Sequence, residues 1–292
     1  MLRSAKSLKG FAIGAKDGDI GEAYDFIFDD KNWTVRYVVA DTQRWLPGRK
    51  VLISPIIVDQ ADWEGKRLPV LLTQEQVKNS PDINMDERLS ALDEVKYYDY
   101  YGLPYYWVGD QVWGPVNLPS DLVREGVERK IALTHEINDS HLRSMNEVSG
   151  YEILATDGEI GHVDDFIVDD EPWIIRYIVV DTRNFWPGKK ILVAPPWIAN
   201  VDWQNSNVYV NLSHEAIKSA PPLIRISSIA PTKCSFTRTT GKKIGVGLSD
   251  SRLEAGQLKL EHSREVCLGR LHQYMRFCIS FVLELKRHRL VT

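Results

Sequence analysis

The chain has 292 residues, of which 43% are hydrophobic and 26% charged, the composition of an ordinary globular protein of about two domains. Its net charge of −4 is unevenly distributed: residues 225–292 carry 13 Lys/Arg and 5 Asp/Glu, a net of +8, which leaves −12 for residues 1–224. The acidic body argues against a nucleic-acid-binding surface, and because no cysteine precedes Cys234, a disulfide framework or a thiolate nucleophile is excluded there.

An internal repeat is the main feature of the body. Residues 3–81 and 143–221 are the same segment written twice, without a gap, at a spacing of 140 residues, and about two positions in five are identical. We therefore predict copy one (residues 1–82), a connector (83–142), copy two (143–223) and a tail (224–292). Each copy is long enough that we expect it to own its core and fold as a unit. The repeated structural positions are Asp17, Gly18, Gly21, Asp29, Asp30, Trp33 and Arg36, with their counterparts Asp157, Gly158, Gly161, Asp169, Asp170, Trp173 and Arg176.

Short apolar runs separated by turn signals predict a small β-domain in each copy. Asp29 to Asn32 form a polar hairpin tip, and Thr73 with Gln76 predicts the capped start of a short helix. Five or six short strands must hide their edges, and a small barrel does so. The strands predicted in copy one are Phe11–Ala15, Ile20–Phe28, Trp33–Ala40, Lys50–Ser54 and Leu68–Leu72.

The motifs of each copy resemble a known family. The run Asp-Gly-x-Ile-Gly, then Asp-Phe-Ile-x-Asp-Asp-x-x-Trp-x-x-Arg-Tyr, then Asp-Thr and Pro-Gly-(Arg/Lys)-Lys is similar to the PRC-barrel family, named after the cytoplasmic domain of the photosynthetic reaction centre H subunit. The resemblance implies a mainly β fold of two tandem small PRC-type barrels, joined here by a short helical, aromatic-rich connector. The chain resembles the stand-alone bacterial members of that family, which have two barrels in tandem. Such a resemblance in fold does not determine a function.

The connector carries an aromatic cluster that follows an amphipathic segment, Asp86–Lys96, predicted to be helical. Two interpretations are open: the cluster covers an open end of a barrel, or it forms a partner-binding surface, since Tyr and Trp dominate binding hot spots. A further short helix is predicted over Asp121–Ile131. The aromatic cluster consists of Tyr97, Tyr98, Tyr100, Tyr101, Tyr105, Tyr106 and Trp107.

The tail does not continue the repeat. A shift of 140 should place aromatic residues at 237–247, but the chain reads Thr-Arg-Thr-Thr-Gly-Lys-Lys-Ile-Gly-Val-Gly there. We interpret residues 224–292 as a basic tail that is the product of a shifted reading frame or is disordered. The alternative is a basic segment that binds anionic lipid or nucleic acid.

The body shows no arrangement on which a reaction could be built. The Asp29-Asp30 and Asp169-Asp170 pairs are the best cation candidates, and turn formation explains them more simply. We expect Arg36 and Arg176 to pair with carboxylates such as Asp25 and Asp165 across the sheet. The sequence thus predicts no catalytic residue, no metal site, no cofactor and no enzyme activity.

The function expected from these features is a non-catalytic adaptor or regulatory module that binds a protein partner or itself, with nucleic acid unlikely as partner. One alternative is a peripheral subunit or regulator of a membrane electron-transfer complex of the photosynthetic type. Another is binding to a ribosomal protein, as in ribosome maturation. The N-terminus has no apolar signal region, so we expect a cytoplasmic protein or one at the inner face of the membrane.

Overall fold

A computed structural model describes residues 1–42, 45–84, 88–124, 141–182 and 189–219. Residues 224–292, the predicted tail, lie outside the described residues, as does most of the helix predicted over Asp121–Ile131. Within the described ranges strand residues outnumber helix residues, so the prediction of a mainly β fold is confirmed.

The two copies show the same succession of elements, except that copy two has one additional strand before its last. Copy one contains β1 (Leu2–Ser4), α1 (Ala5–Leu8), β2 (Ala12–Ala15), β3 (Gly18–Asp29), β4 (Thr34–Asp41), β5 (Lys50–Ile53), a 3-10 turn (Pro55–Ile57), β6 (Arg67–Pro69) and α2 (Gln74–Lys78). The connector contributes α3 (Ala91–Tyr101) and α4 (Pro119–Arg124). Copy two contains β7 (Leu142–Ser144), α5 (Met145–Val148), β8 (Glu152–Ala155), β9 (Gly158–Asp169), β10 (Ile174–Asp181), β11 (Lys190–Val193), a 3-10 turn (Pro195–Trp197), β12 (Ile198–Asp202), β13 (Asn207–Val210) and α6 (His214–Ser219).

The strands form one continuous mixed sheet in the order β12-β13-β8-β9-β10-β4-β3-β2-β6. The copies meet at its centre, where Ile174 of β10 pairs with Thr34 of β4. Two reciprocal backbone hydrogen bonds flank this pair: Val35 N–H donates to Trp173 at 2.8 Å, and Ile175 N–H donates to Trp33 at 2.7 Å. Apart from β12, the strand order is symmetric about the contact between the two hairpins.

The first strand of each copy pairs with the other copy. Strand β1 lies antiparallel to β9, and β7 lies antiparallel to β3. Each copy thus gives an edge strand to its neighbour, and the core is shared. The expectation that each copy owns its core overlooked this exchange.

Side-chain hydrogen bonds hold the exchanged strands in place. Asp25 of β3 accepts from Ser144 Oγ at 2.6 Å and from the backbone N–H of Asn146 at 3.1 Å. Asp165 accepts from Ser4 Oγ and, at 3.0 Å, from the N–H of Lys6 in the same way. The expected pairing of Arg36 with Asp25 was therefore wrong, because the Asp25 carboxylate accepts hydrogen bonds from β7 and the start of α5.

Bulges and tight turns place the side chains of the long hairpins. Arg36 and Arg176 are the extra residues of bulges in β4 and β10, since Val35 and Tyr37 pair with neighbouring residues of β3 and so do their counterparts in β9. Gly21 is required by a close approach, because a Cβ there would overlap the carbonyl oxygen of Asp41. The core lies along β3, β4, β9 and β10. There the rings of Phe28 in copy one and Phe166 in copy two pack with their centroids 5.8 Å apart.

Candidate functional site

The aromatic connector lies on the face of copy one that β4 presents. Helix α3 starts at a capping box, in which Ser90 accepts from the N–H of Asp93 and Asp93 accepts from the N–H of Ser90. It ends at Gly102, which takes the left-handed conformation with φ 66°. Helix α3 therefore overlaps the helix predicted over Asp86–Lys96 and continues into the aromatic run as far as Tyr101, where Gly102 ends it.

The cluster divides into buried and accessible members. Tyr97, Tyr98 and Tyr106 are buried, so these three pack within the chain. Tyr100 is 40% exposed, and its hydroxyl donates to the carbonyl of Gln76 at 2.8 Å. The members that retain partial exposure, and so could meet a partner, are Tyr100, Tyr101, Tyr105 and Trp107.

Arg36 is enclosed by the connector. Its guanidinium donates to the Asp29 carboxylate at 2.9 Å and to the carbonyl of Val112 at 2.7 Å. It also lies over the rings of Tyr106 and Trp113, at 4.0 and 4.7 Å. Only 1% of the Arg36 side chain is exposed, so the connector seals the ion pair from water.

The pKa of Asp29 follows from this enclosure. Burial alone raises the pKa of a carboxyl group, but the charge of Arg36 and the hydrogen bonds from Arg36, Asn32 and Lys31 outweigh burial and lower the Asp29 pKa below its ordinary value. Asp29 therefore stays charged inside the fold and also caps the hairpin turn.

A second buried acid, Glu94 of α3, bonds the connector to the sheet. Glu94 accepts from the hydroxyls of Tyr37 at 2.9 Å and Tyr106 at 2.8 Å. The hydroxyl of Tyr97 accepts from the backbone N–H of Ser54 at 2.9 Å. Burial is the main reason that the pKa values of the Tyr37 and Tyr106 hydroxyls lie well above their ordinary value, and the negative charge of Glu94 is the second. Both hydroxyls therefore stay protonated and donate to Glu94.

The connector also touches copy two. The indole Nε1 of Trp113 donates to the carbonyl of Pro172 at 2.8 Å, and Trp113 is fully buried. Neither Trp113 nor Glu94 was predicted from the sequence to be a functional residue. A glutamate one helical turn before a tyrosine pair gave a weak signal, and Trp113 gave none, because its partner lies in the other copy.

The equivalent ion pair in copy two is differently placed. Arg176 donates to Asp169 at 2.9 Å, as Arg36 does to Asp29, but 45% of the Arg176 side chain is exposed. Ile174 and Tyr177 are partly exposed, whereas Thr34 and Tyr37 are fully buried. We call this surface of β10 the β10 face, and define it by Ile174, Arg176 and Tyr177.

The other repeated motif residues have structural positions. Asp17 and Asp157 accept from the first N–H groups of α2 and α6, at 2.7 and 2.9 Å. Asp30 pairs with Arg143 at 3.0 Å, and Asp170 pairs with Arg3, so these acids fasten the exchanged strands. Gly18 and Gly158 open the long strands β3 and β9, Gly161 repeats the close approach of Gly21, and Trp33 and Trp173 end the hairpin tips at φ 51° and 58°.

The two exchanged strands share a tripeptide and its contacts. The tripeptide Leu-Arg-Ser occurs at 2–4 and again at 142–144. Arg3 stacks on Trp63 at 3.7 Å and Arg143 stacks on Trp203 at 4.2 Å, so both strands make the same contacts. The repetition indicated a common role but not which copy each strand would join.

A groove lies beside the connector at the junction of the two copies. Its volume is about 1040 Å³, and its lining includes Trp33, Arg88, Leu92, Arg143 and Trp203. Leu92 is 54% exposed there. Among the residues that the structure describes, no three His, Cys, Asp or Glu side chains are grouped as metal ligands.

Comparison with known proteins identifies one segment. Residues 142–217 match the model of the PRC-barrel domain. The matched range comprises β7 to α6 and includes the exchanged strand β7. No curated protein matches the chain. No helix in the described ranges combines the length and apolar character needed to cross a membrane.

Proposed function

We propose that the chain is a non-catalytic protein-binding module built from two PRC-type barrels, and that the β10 face of copy two is its binding surface. The match at residues 142–217 supports the barrel in copy two, and the recurrence of its strands 140 residues earlier supports the same fold in copy one. The connector then acts as the permanent cover of copy one.

The difference between two identical ion pairs carries the proposal. Arg36 and Arg176 each precede a tyrosine and have equivalent acid partners, Asp29 and Asp169, yet their exposed fractions are 1% and 45%. A solvated pair contributes little to stability, whereas arginine is enriched among the buried anchors of interfaces. The β10 face therefore has the chemistry of a face that is completed by another surface.

The identity of the partner is not part of this function. A subunit of a membrane electron-transfer complex or a ribosomal protein are two partners that would fit a binding module. Both leave the chain itself without a reaction to catalyse, and both depend on the same surface.

A comparison of two variants tests the proposal. Full-length chain serves as bait in native lysate, separately for soluble and membrane fractions, with mass spectrometry as readout. We expect wild type and Lys96→Ala to capture the same partner in stoichiometric amount, because Lys96 lies on the connector and is 65% exposed. Arg176→Ala should lose it. Equal capture by all three folded baits would contradict a role for the β10 face.

A further inference from the structure

The chain contains its own example of what covers such a face. On copy one the covering segment supplies a backbone carbonyl to Arg36 from Val112, two aromatic rings around its guanidinium, and a carboxylate to the hydroxyl of Tyr37 from Glu94. These groups lie within residues 88–116, on α3 and the turns that follow it. The segment is therefore recognised through its aromatic rings, one acid and its backbone.

Copy two retains the groups that receive this segment. Arg176 corresponds to Arg36 and Tyr177 to Tyr37, and both lie at the same bulge. The group that bonds Tyr97 is the backbone N–H of Ser54, and its counterpart Ala194 has the same N–H. The carbonyl of Asn32 is the counterpart of the Pro172 carbonyl that accepts from Trp113.

The remainder of the chain does not contain a second segment of this kind. Residues 220–292 include one tyrosine and no tryptophan, and positions 237–247 lack aromatic residues altogether. The connector itself is bound to copy one, where Tyr97, Tyr98 and Trp113 are buried. Residues 1–292 therefore offer no second segment of this kind to the β10 face.

We propose that the β10 face binds, in trans, a helical segment of a partner protein with the chemistry of residues 88–116. Such a segment has a capped helix with a glutamate one turn before a tyrosine pair, a left-handed glycine at its end, and a tryptophan in the turns that follow. This inference rests on the proposed function and specifies its partner. Arg176 anchors the complex by exchanging its solvated ion pair for one sealed by aromatic rings.

A synthetic peptide tests this directly. The probe is residues 88–116 of this chain, labelled with a fluorophore and titrated with full-length protein by fluorescence anisotropy. We expect saturable binding in a ratio of one to one, weakened at least tenfold by Arg176→Ala in the protein. In the peptide, Trp113→Ala and Glu94→Ala should each weaken binding at least fivefold. The peptide variant Lys96→Ala is the matched control and should bind as the parent does.

The binding site is mapped with p-azidophenylalanine at peptide position 98, because the Tyr98 ring lies 6.4 Å from the Tyr37 ring in copy one. Crosslinks to residues 174–181 support the proposal, whereas crosslinks to residues 34–41 mean that the peptide displaces the connector from copy one and overturn it. The proposal is also overturned if no saturable binding is seen at protein concentrations up to about 1 mM, which corresponds to a very weak affinity. This holds even if the reason is that residues 224–292 occupy the β10 face. If the peptide fails while capture from lysate still depends on Arg176, the partner chemistry is wrong and the proposed function stands.

Discussion

Ser144, in the first strand of copy two, donates a hydrogen bond of 2.6 Å to the buried Asp25 carboxylate of copy one. Ser4 makes the same bond to Asp165 in the opposite direction. Burial raises the pKa of Asp25 and of Asp165 above its ordinary value, against the opposing effect of the hydrogen bonds from the incoming strand. Each exchanged strand therefore supplies hydrogen-bond donors to a buried carboxylate that would otherwise lack them.

Removal of this hydroxyl should loosen the junction. We expect Ser144→Ala to lower the free energy of unfolding by about 2 kcal/mol, because a hydrogen bond to a charged group is lost and a buried acceptor is left with fewer donors. Urea denaturation followed by tryptophan fluorescence measures this change. Ser7→Ala is the control, since Ser7 Oγ donates to the solvent-exposed carbonyl of Ser4, and its effect should stay below about 0.5 kcal/mol.

The two ion pairs should differ in their contribution to stability. Asp29→Asn leaves the enclosed Arg36 without a counter-charge and should cost about 3 kcal/mol, the range measured when one partner of a buried pair is removed. Asp169→Asn, the same change beside the exposed Arg176, should cost less than about 1 kcal/mol. Equal losses in thermal and urea unfolding would mean that enclosure by the connector has no energetic effect.

The Asp29 pair also predicts a pH dependence. Its pKa is lower in the folded chain than in the unfolded one, so its stabilisation is present above the ordinary value of about 4 and is lost as pH falls through the folded pKa. The stability difference between wild type and Asp29→Asn should therefore shrink between about pH 5 and pH 2. Asp25 and Asp165 act in the opposite sense and are common to both proteins, so they cancel in the comparison. Urea unfolding at five pH values measures the difference, and a gap that stays constant would contradict the assignment.

The hydroxyl of Tyr37 fastens the connector to the sheet through Glu94. We expect Tyr37→Phe to destabilise the fold by about 2 kcal/mol, since Glu94 is buried and loses one of its donors. In the variant, the α3 amides should exchange with deuterium faster than in the wild type, whereas the strands of copy two should exchange as before. Tyr24→Phe, at an exposed position, is the control and should leave stability and exchange unchanged.

The sequence predicted the elements within a copy better than the contacts between copies. The strands and the capping box at Thr73 and Gln76 were readable, because alternation and caps are local properties. The exchange of β1 and β7 was not, because a repeated Leu-Arg-Ser presents the same side chains to either copy.

The candidate site was only partly predictable for a related reason. The aromatic run identified the connector, but which of its tyrosines are buried depends on contacts with residues distant in sequence, such as Tyr37 and Ser54. The contrast between Arg36 and Arg176 could not be predicted from the two copies, since each arginine precedes a tyrosine and has an equivalent acid partner. The connector that covers Arg36 follows copy one, and the sequence after copy two has no comparable cluster of tyrosine and tryptophan residues.

The reciprocal exchange of edge strands has the geometry of a domain-swapped dimer, with both halves in a single polypeptide. A polypeptide of a single copy, paired with a second molecule of itself, could form every contact that β1 makes with β9 and β7 makes with β3. Fusion of two such genes would preserve the dimer while freeing the halves to diverge. One half could then keep its aromatic cover, while the other offered the same face to a different molecule.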